Sequence, residues 1–300
     1  MEISQLRALR ELRERGSIAA VAAAMHVTAS SVSQQISALQ RHSPVPLTYK
    51  DGRRTALTPA GDALASAAVD VEIAMARARQ SVDGFRDDAS RMVSVAAFHS
   101  AATAVFGPLL HRLAGAAQTV SLRDFDVAQA EFPGLTADHD LVLSHRLAGS
   151  GEWPSWVRAK PLFYEPLDVA MRHDHPLARE SVIHPEQLRG VDWVAVHEGF
   201  PLEQAIAVIS TVSGREARIP HRINEFLVAA SVVASSDCVA LLPRFTTSLG
   251  DHPQLALRPL DLPGIGRYVD CLARPETLER RAVQSILDHI RAIAAELSDG

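Results

Sequence analysis

Ile3, Leu6, Leu9 and Leu12 recur at helical spacing until Gly16, which predicts a first helix closed by that glycine. Ser17 follows as an N-cap before Ile18-Ala19-Ala20-Val21-Ala22-Ala23-Ala24-Met25, an alanine-rich run that combines high helix propensity with room for a close neighbour. His26-Val27 breaks the run. Thr28 is the next N-cap, opening a helix whose apolar positions are Val32, Ile36 and Leu39. Two short helices joined by a tight turn form a helix-turn-helix pattern. Pro44 and Pro46 end the third helix, and strands at 47–49 and 55–57 then flank Lys50-Asp51-Gly52-Arg53-Arg54. Asp-Gly between short strands predicts a hairpin, here a wing with a basic tip.

From Thr58 the period changes. Leu64, Ala68, Val71, Met75, Ala78, Val82 and Phe85 follow spacings of four and three, a seam of about three heptads that predicts a helix pairing with a second helix. The alternative is an amphipathic helix lying on its own domain. After 87–90 strand-like and helical runs alternate. Strands are predicted at 93–98, 120–125, 140–144, 167–171, 193–196, 238–243, 255–260 and 268–273. Helices are predicted at 101–113, 202–212, 226–235 and 276–297. Such alternation implies a mainly parallel α/β sheet.

Composition sets the bounds. At 300 residues, 47% apolar and 22% charged, the chain has the make-up of about two globular domains. Met1-Glu2-Ile3-Ser4-Gln5 lacks the basic start and apolar core of a secretory signal, and the charge-free stretches 16–40 and 92–111 are too polar for a membrane span. A cytoplasmic chain with no membrane association is expected. Charge is uneven: positions 1–57 hold eight basic side chains against four acidic ones, net +4, which leaves the remainder at −9. That asymmetry suggests a nucleic-acid module joined to something else.

The third helix aims Ser30, Ser31, Ser33, Gln34, Gln35 and Ser37 outward from Thr28, all uncharged. Hydroxyls and amides read base edges in a major groove, while helix N-terminal amides and flanking basic groups, with Lys50, Arg53 and Arg54 on the wing, hold phosphates. A single helix of this kind is more often a polar surface, but the helix pair and the basic wing together favour DNA.

These segments resemble the DNA-binding end of the LysR-type transcriptional regulators. The resemblance rests on Leu6-Arg7, Gly16-Ser17-Ile18, Ala20-Val21-Ala22, Met25-His26-Val27-Thr28, Ser31-Val32-Ser33-Gln34-Gln35-Ile36, Leu39, Val45-Pro46-Leu47, Gly52-Arg53-Arg54 and Leu57-Thr58-Pro59-Ala60-Gly61. The chain departs from the family at Gln34, often Arg there, and at Gln40, Ser43-Pro44 and Thr48. Further on, His175-Pro176-Leu177-Ala178 with Val182 and Leu188, and Cys238-Val239-Ala240-Leu241-Leu242-Pro243, are similar to second-lobe segments of the family's effector domain.

The resemblance implies a winged helix-turn-helix over 1–58 and a dimerisation linker helix over 59–88. It implies an effector domain over 91–300, with two periplasmic-binding-protein-like α/β lobes, lobe I at 91–163 and 267–300 and lobe II at 164–266. Implied partners are double-stranded DNA carrying an interrupted palindrome, a small-molecule effector, a second or further copies of the chain as homodimer or homotetramer, and RNA polymerase. Ligands of open α/β sheets gather at strand carboxyl ends and helix N-termini. The candidates are Ser100, Thr103, Ser144, His145, Arg146, His197, Phe200, Asn224 and Phe226, with His145 and Arg146 suited to the carboxylate of a small organic acid.

Other chemistry has little support. His173-Asp174-His175 lacks a second metal-ligating cluster, Gly264-Ile265-Gly266 reads as a turn, and Cys238 and Cys271 sit in apolar strands as small core residues. The sequence shows neither a nucleophile elbow nor a phosphate loop, so neither catalysis nor a cofactor is expected. Two alternatives stay open: a small-molecule-sensing protein with weak or lost DNA binding, and an enzyme on a binding-protein scaffold.

Overall fold

The computed structural model of the chain describes residues 1–52, 54–83, 92–147, 149–198, 200, 202–247 and 253–299; Arg53 and Phe85 lie outside the described residues. Helix α1 (Ile3–Arg15) ends where Gly16 takes a left-handed φ of 69°. The Ser17 hydroxyl accepts the Ala20 amide at the start of α2 (Ile18–Ala24), and the Thr28 hydroxyl accepts the Ser31 amide at the start of α3 (Ala29–Gln40). Between them His26 is left-handed at φ 53°, a conformation costly for a side chain with a Cβ and used here to make the turn tight. Leu9, Leu12, Val21, Val32 and Leu39 are buried between the three helices. Strands β1 (Thr48–Asp51) and β2 (Arg54–Leu57) pair antiparallel as the wing.

The wing is fastened below α3. The Gln40 side chain donates to the Val45 carbonyl and accepts the Leu47 amide, so a departure from the family pattern holds the loop that carries Ser43 and Pro44. Thr58 donates to the Pro46 carbonyl and accepts the Gly61 amide at the head of α4 (Pro59–Asp83). Gly61 is required by a close approach, because a Cβ there would lie 2.0 Å from the Leu47 carbonyl oxygen.

The second unit contains β3 (Val93–Phe98), α5 (His99–Arg112), β4 (Val120–Phe125), α6 (Phe132–Leu135), β5 (Leu141–Leu147) and β6 (Arg158–Arg172). It continues with β7 (Asp192–Ala195), α7 (Glu203–Ser213), β8 (Arg218–Arg222), α8 (Phe226–Ala234), β9 (Val239–Pro243), β10 (Leu255–Arg258), β11 (Gly266–Ala273) and α9 (Arg281–Asp299). The sheet order is β4-β3-β5-β11-β6-β9-β7-β8, with β10 beside β6. It is more mixed than the expected mainly parallel sheet, because β6 and β11 run antiparallel to each other and to their neighbours. Two cores lie on either side of those strands. One packs α5 and α9 on β3, β5 and β11; the other surrounds Trp193, Met171 and Leu241. Strand β6 runs from the first core into the second and β11 returns at the same point, where Gly266 pairs with Pro166 and Arg267 with Glu165.

Three expectations change. The first half of β6 and all of β8 are strands that were unread. Residues 129–135, in none of the predicted strands or helices, form a 3₁₀ turn and α6. In the heptad seam, Ala68 is buried and Leu64 half-buried in the chain's own first domain, packed with Leu6 and Leu9 of α1, whereas Val71, Ala78 and Val82 are exposed and Met75 is half-buried. The N-terminal end of a 25-residue helix must cover the domain it leaves, which removes those two positions from a seam facing another chain.

Candidate functional site

Helix α3 presents Ser30, Ser33, Gln34 and Ser37 fully exposed and Ser31 and Gln35 half-buried, beside a groove of about 570 Å³ against Ser4 and Gln5 of α1. The Ser33 hydroxyl donates to its own helix at Ala29, while Thr28 is used as the cap. On the wing, Lys50 Nζ donates to the Thr55 hydroxyl across the hairpin and Arg54 is exposed. Among the described residues neither cation has a carboxylate within 4.0 Å, so both charges face solvent.

Three arginines of α1 are spent elsewhere. Arg10 is buried, bonded through Nε to Glu14 at 2.7 Å and through Nη1 to Glu72 and, at 2.7 Å, to Glu276. Burial alone would depress its pKa, but the three carboxylates reverse the sign and raise it. Arg15 is bonded to Glu11 at 2.6 Å and Asp138 at 3.0 Å, and Arg7 to Glu72 at 2.9 Å. The positive excess read from the first 57 residues is therefore only partly available to a polyanion. Among the described residues, Arg41, Lys50 and Arg54 have no carboxylate within 4.0 Å.

At the crossing of β6 and β11 the structure builds a second centre. Glu165 Oε1 accepts the Phe245 and Thr246 amides at 2.9 and 2.7 Å, and Arg267 Nε donates to Glu165 Oε2 at 2.8 Å. Arg267 Nη2 donates to Ser100 Oγ at 2.8 Å and Thr246 Oγ1 at 2.9 Å. The guanidinium lies 4.7 Å from the Phe98 ring centre and 5.6 Å from that of Phe226. Ser100 and Phe98 belong to the first lobe; Thr246 and Phe226 belong to the second. One buried ion pair thus touches side chains packed on both cores, where β6 passes from one to the other.

The predicted effector residues divide around this centre. Ser100 and Phe226 touch it. Asn224 accepts the His197 amide at 2.8 Å and so joins the end of β7 to the entrance of α8. His197 is exposed, and Phe200 packs on the second-lobe core. Thr103 is exposed and donates to His99 of its own helix.

Three expectations are corrected. Ser144 is fully buried and donates to the Asp270 carbonyl. Arg146 is bonded to Asp270 at 2.9 Å, where Trp153 Nε1 also donates, and lies over the Tyr268 ring. His145 is buried against the rings of Phe98 and Phe132, and desolvation, aided by Arg267, holds its pKa well below the usual histidine value. A neutral imidazole and a neutralised guanidinium do not form a seat for a carboxylate. Alternating strand positions explain the error: His145 and Arg146 point to opposite faces of β5. Cys238 and Cys271 are buried, and desolvation pushes the Cys271 thiol to about 12.

Residues 3–62 match the family described as "Bacterial regulatory helix-turn-helix protein, lysR family", and residues 86–295 match the "LysR substrate binding domain". The chain belongs to the LysR family of transcriptional regulators. As a LysR-type protein it is a DNA-binding regulator with an effector-binding domain. A probable nitrogen assimilation transcriptional activator of Synechocystis sp. is 26% identical over 278 residues, 90% of this chain and 88% of the relative. The Hca operon transcriptional activator HcaR of Escherichia coli is 27% identical over 269 residues, 87% of each. Among solved structures, full-length OxyR from Pseudomonas aeruginosa superposes with a TM-score of 0.68 at 21% identity, covering 97% of this chain and 95% of that one. CbnR complexed with its target DNA superposes with a TM-score of 0.53 at 20% identity, covering 98% and 100%. At those identities the likeness is one of fold. No described helix is long and apolar enough to cross a membrane.

Sequence reasoning missed Glu165, Thr246 and Arg267 of this LysR-type chain. The available signal was a charged residue among aromatic and apolar neighbours in each of two segments, Leu162-Phe163-Tyr164-Glu165 and Gly266-Arg267-Tyr268-Val269. A lone charge in a buried strand requires a partner.

Proposed function

We propose that this regulator acts in the cytoplasm, without catalysis, by reading an interrupted palindrome as a dimer or tetramer. Residues 1–58 form the DNA-binding unit, 59–88 the linker helix that pairs with a second copy, and 91–300 the effector unit, with lobe I at 91–163 and 267–300 and lobe II at 164–266. Helix α3 lies in the major groove, with Ser30, Ser31, Ser33, Gln34, Gln35 and Ser37 toward base edges; Lys50, Arg53 and Arg54 hold phosphates and Thr28 fixes the helix start. The observation that carries this reading is the exposed, uncharged face of α3 beside two unpaired wing cations.

An effector enters between the lobes at the Ser100, Phe226 and Asn224 end of the cleft. It changes DNA binding only by favouring one lobe arrangement over another. The Arg267–Glu165 pair is the element whose bonding such a change would alter.

The test is titration of duplex fragments from the region upstream of the regulator's own gene, across a range of salt. Lys50→Ala with Arg54→Ala should weaken binding to every sequence and flatten the log-affinity against log-salt slope by about 0.9 for each phosphate no longer neutralised. Gln34→Ala should instead relax preference at one or two base pairs. An unaltered slope removes the wing from the interface, and failure to bind any fragment at low salt removes the DNA reading.

A further inference from the structure

The linker helix borders a cavity distinct from the interlobe centre. It measures about 490 Å³ and lies among α4, the start of β6, the turn before α9, and α9 itself. Strand alternation places Arg158 and Lys160 on one face of β6, before the register shift that separates them from Phe163. Gln284, Leu287, Asp288 and Arg291 occupy one face of α9 at helical spacing, while Ile73 and Arg77 of α4 are one turn apart.

Six charged residues line the cavity, and four are already paired. Arg77 bonds Glu279 at 3.1 Å and Arg291 bonds Asp288 at 3.3 Å. Arg158 and Lys160 have no carboxylate within 4.0 Å among the described residues. Two like charges on one strand face, about 7 Å apart at their backbones, repel each other, and the cavity's two carboxylates, Glu279 and Asp288, are bonded to Arg77 and Arg291 instead. The concavity is of the size that holds metabolites rather than a duplex. We propose that this junction binds a small multivalent oxyanion, held by Arg158 and Lys160 from the effector unit with Arg77 on the linker helix. A molecule so held touches both units at once, and therefore biases the angle at which the linker leaves the effector body.

The site is tested on the full-length chain by calorimetric titration with inorganic pyrophosphate and with citrate, at matched ionic strength. Saturable binding of one anion per chain is expected for at least one probe, the stronger telling phosphate from polycarboxylate recognition. Arg158→Ala with Lys160→Ala should raise Kd about tenfold or more, whereas Lys50→Ala with Arg54→Ala should leave it unchanged. Lys160→Gln, which keeps the stem, should weaken binding about threefold or more even where the double variant does not fold. Absence of saturable binding, equal affinity in the cavity variants, or loss confined to the wing variant each overturns the proposal. So does a cavity variant that loses affinity for duplex DNA and not for the anions. Because the readout is anion binding, it is independent of whether the operator reading above succeeds.

Discussion

Two buried side chains decide how the effector unit behaves. Arg267 and Glu165 face each other across adjacent strands with 1% and 0% of their side chains exposed. Removing one charge leaves the other in a low-dielectric setting with too few partners, at a cost of about 3–5 kcal/mol. Glu165→Gln should lower the denaturant midpoint accordingly, whereas Ser100→Ala, which removes one hydrogen bond, should cost about 1–2 kcal/mol. Comparable losses in the two variants would deny the pair its role. His145 gives a pH dependence whose sign follows from burial. Its folded pKa is depressed, so below about 6.5 the unfolded chain takes up a proton that the folded chain refuses, and stability falls as pH falls, by at most about 1.4 kcal/mol per pH unit. His139 and His175 are also depressed, chiefly by desolvation, and add in the same direction. His145→Phe should flatten the slope below pH 6.5 without abolishing it, as read from unfolding free energy at several pH values. An unchanged slope would place a charged imidazole in the folded state.

At the level of elements, the first domain was legible because each helix carries its own start and stop. Ser17 and Thr28 cap as expected and Gly16 closes α1, while in the wing Asp51 still pairs with Arg54 and the left-handed Gly52 follows it. The effector strands β3 and β9 were legible as apolar runs, and β4 as a short alternating one. The opening of β6 was not, because Pro161 interrupts it and the charges Arg158 and Lys160 alternate with their neighbours there, beside α9. Strand β8, Arg-Ile-Pro-His-Arg, is a polar sheet edge of the kind that local patterning reads as loop. The Arg267–Glu165 pair was unreadable for another reason: its partners are 102 residues apart, and only the sheet register brings them together. The linker seam falls between these cases. Its first two apolar positions serve the chain's own domain, and Val71, Met75, Ala78 and Val82 are exposed or half-buried, the positions that the proposed pairing with another copy would use. Met75→Glu should therefore lower the oligomeric state in sedimentation without unfolding the first domain, while Ala68→Glu should unfold it. Retention of mass in the Met75 variant would move the interface off this helix.

On the scale of the whole molecule, the same ion pairs that remove α1 arginines from DNA bind the two units together. Arg274 of the effector unit bonds Glu11 at 2.7 Å and also bonds Glu14; Glu276 reaches Arg10, and Arg15 reaches Asp138. Burial drives the Glu14 carboxyl above its ordinary value in spite of its arginine neighbours, so that carboxylate is already the strained member of the network. Taking Arg274 away leaves Glu11 and Glu14 buried with one fewer cation each, and the least costly relief is for α1 to leave the effector surface and rehydrate them. The wild-type chain should then melt as one cooperative transition in calorimetry, and Arg274→Ala should separate it into two, the earlier belonging to the winged unit. The detached unit is no longer held at a fixed distance from its copy in an oligomer, so the variant should also tolerate operators whose half-sites are moved by a few base pairs, which a titration series over spacer length would register. A single transition at an unchanged temperature, together with an unchanged spacer preference, would mean that the junction between α1 and the effector unit does not restrain the DNA-binding end.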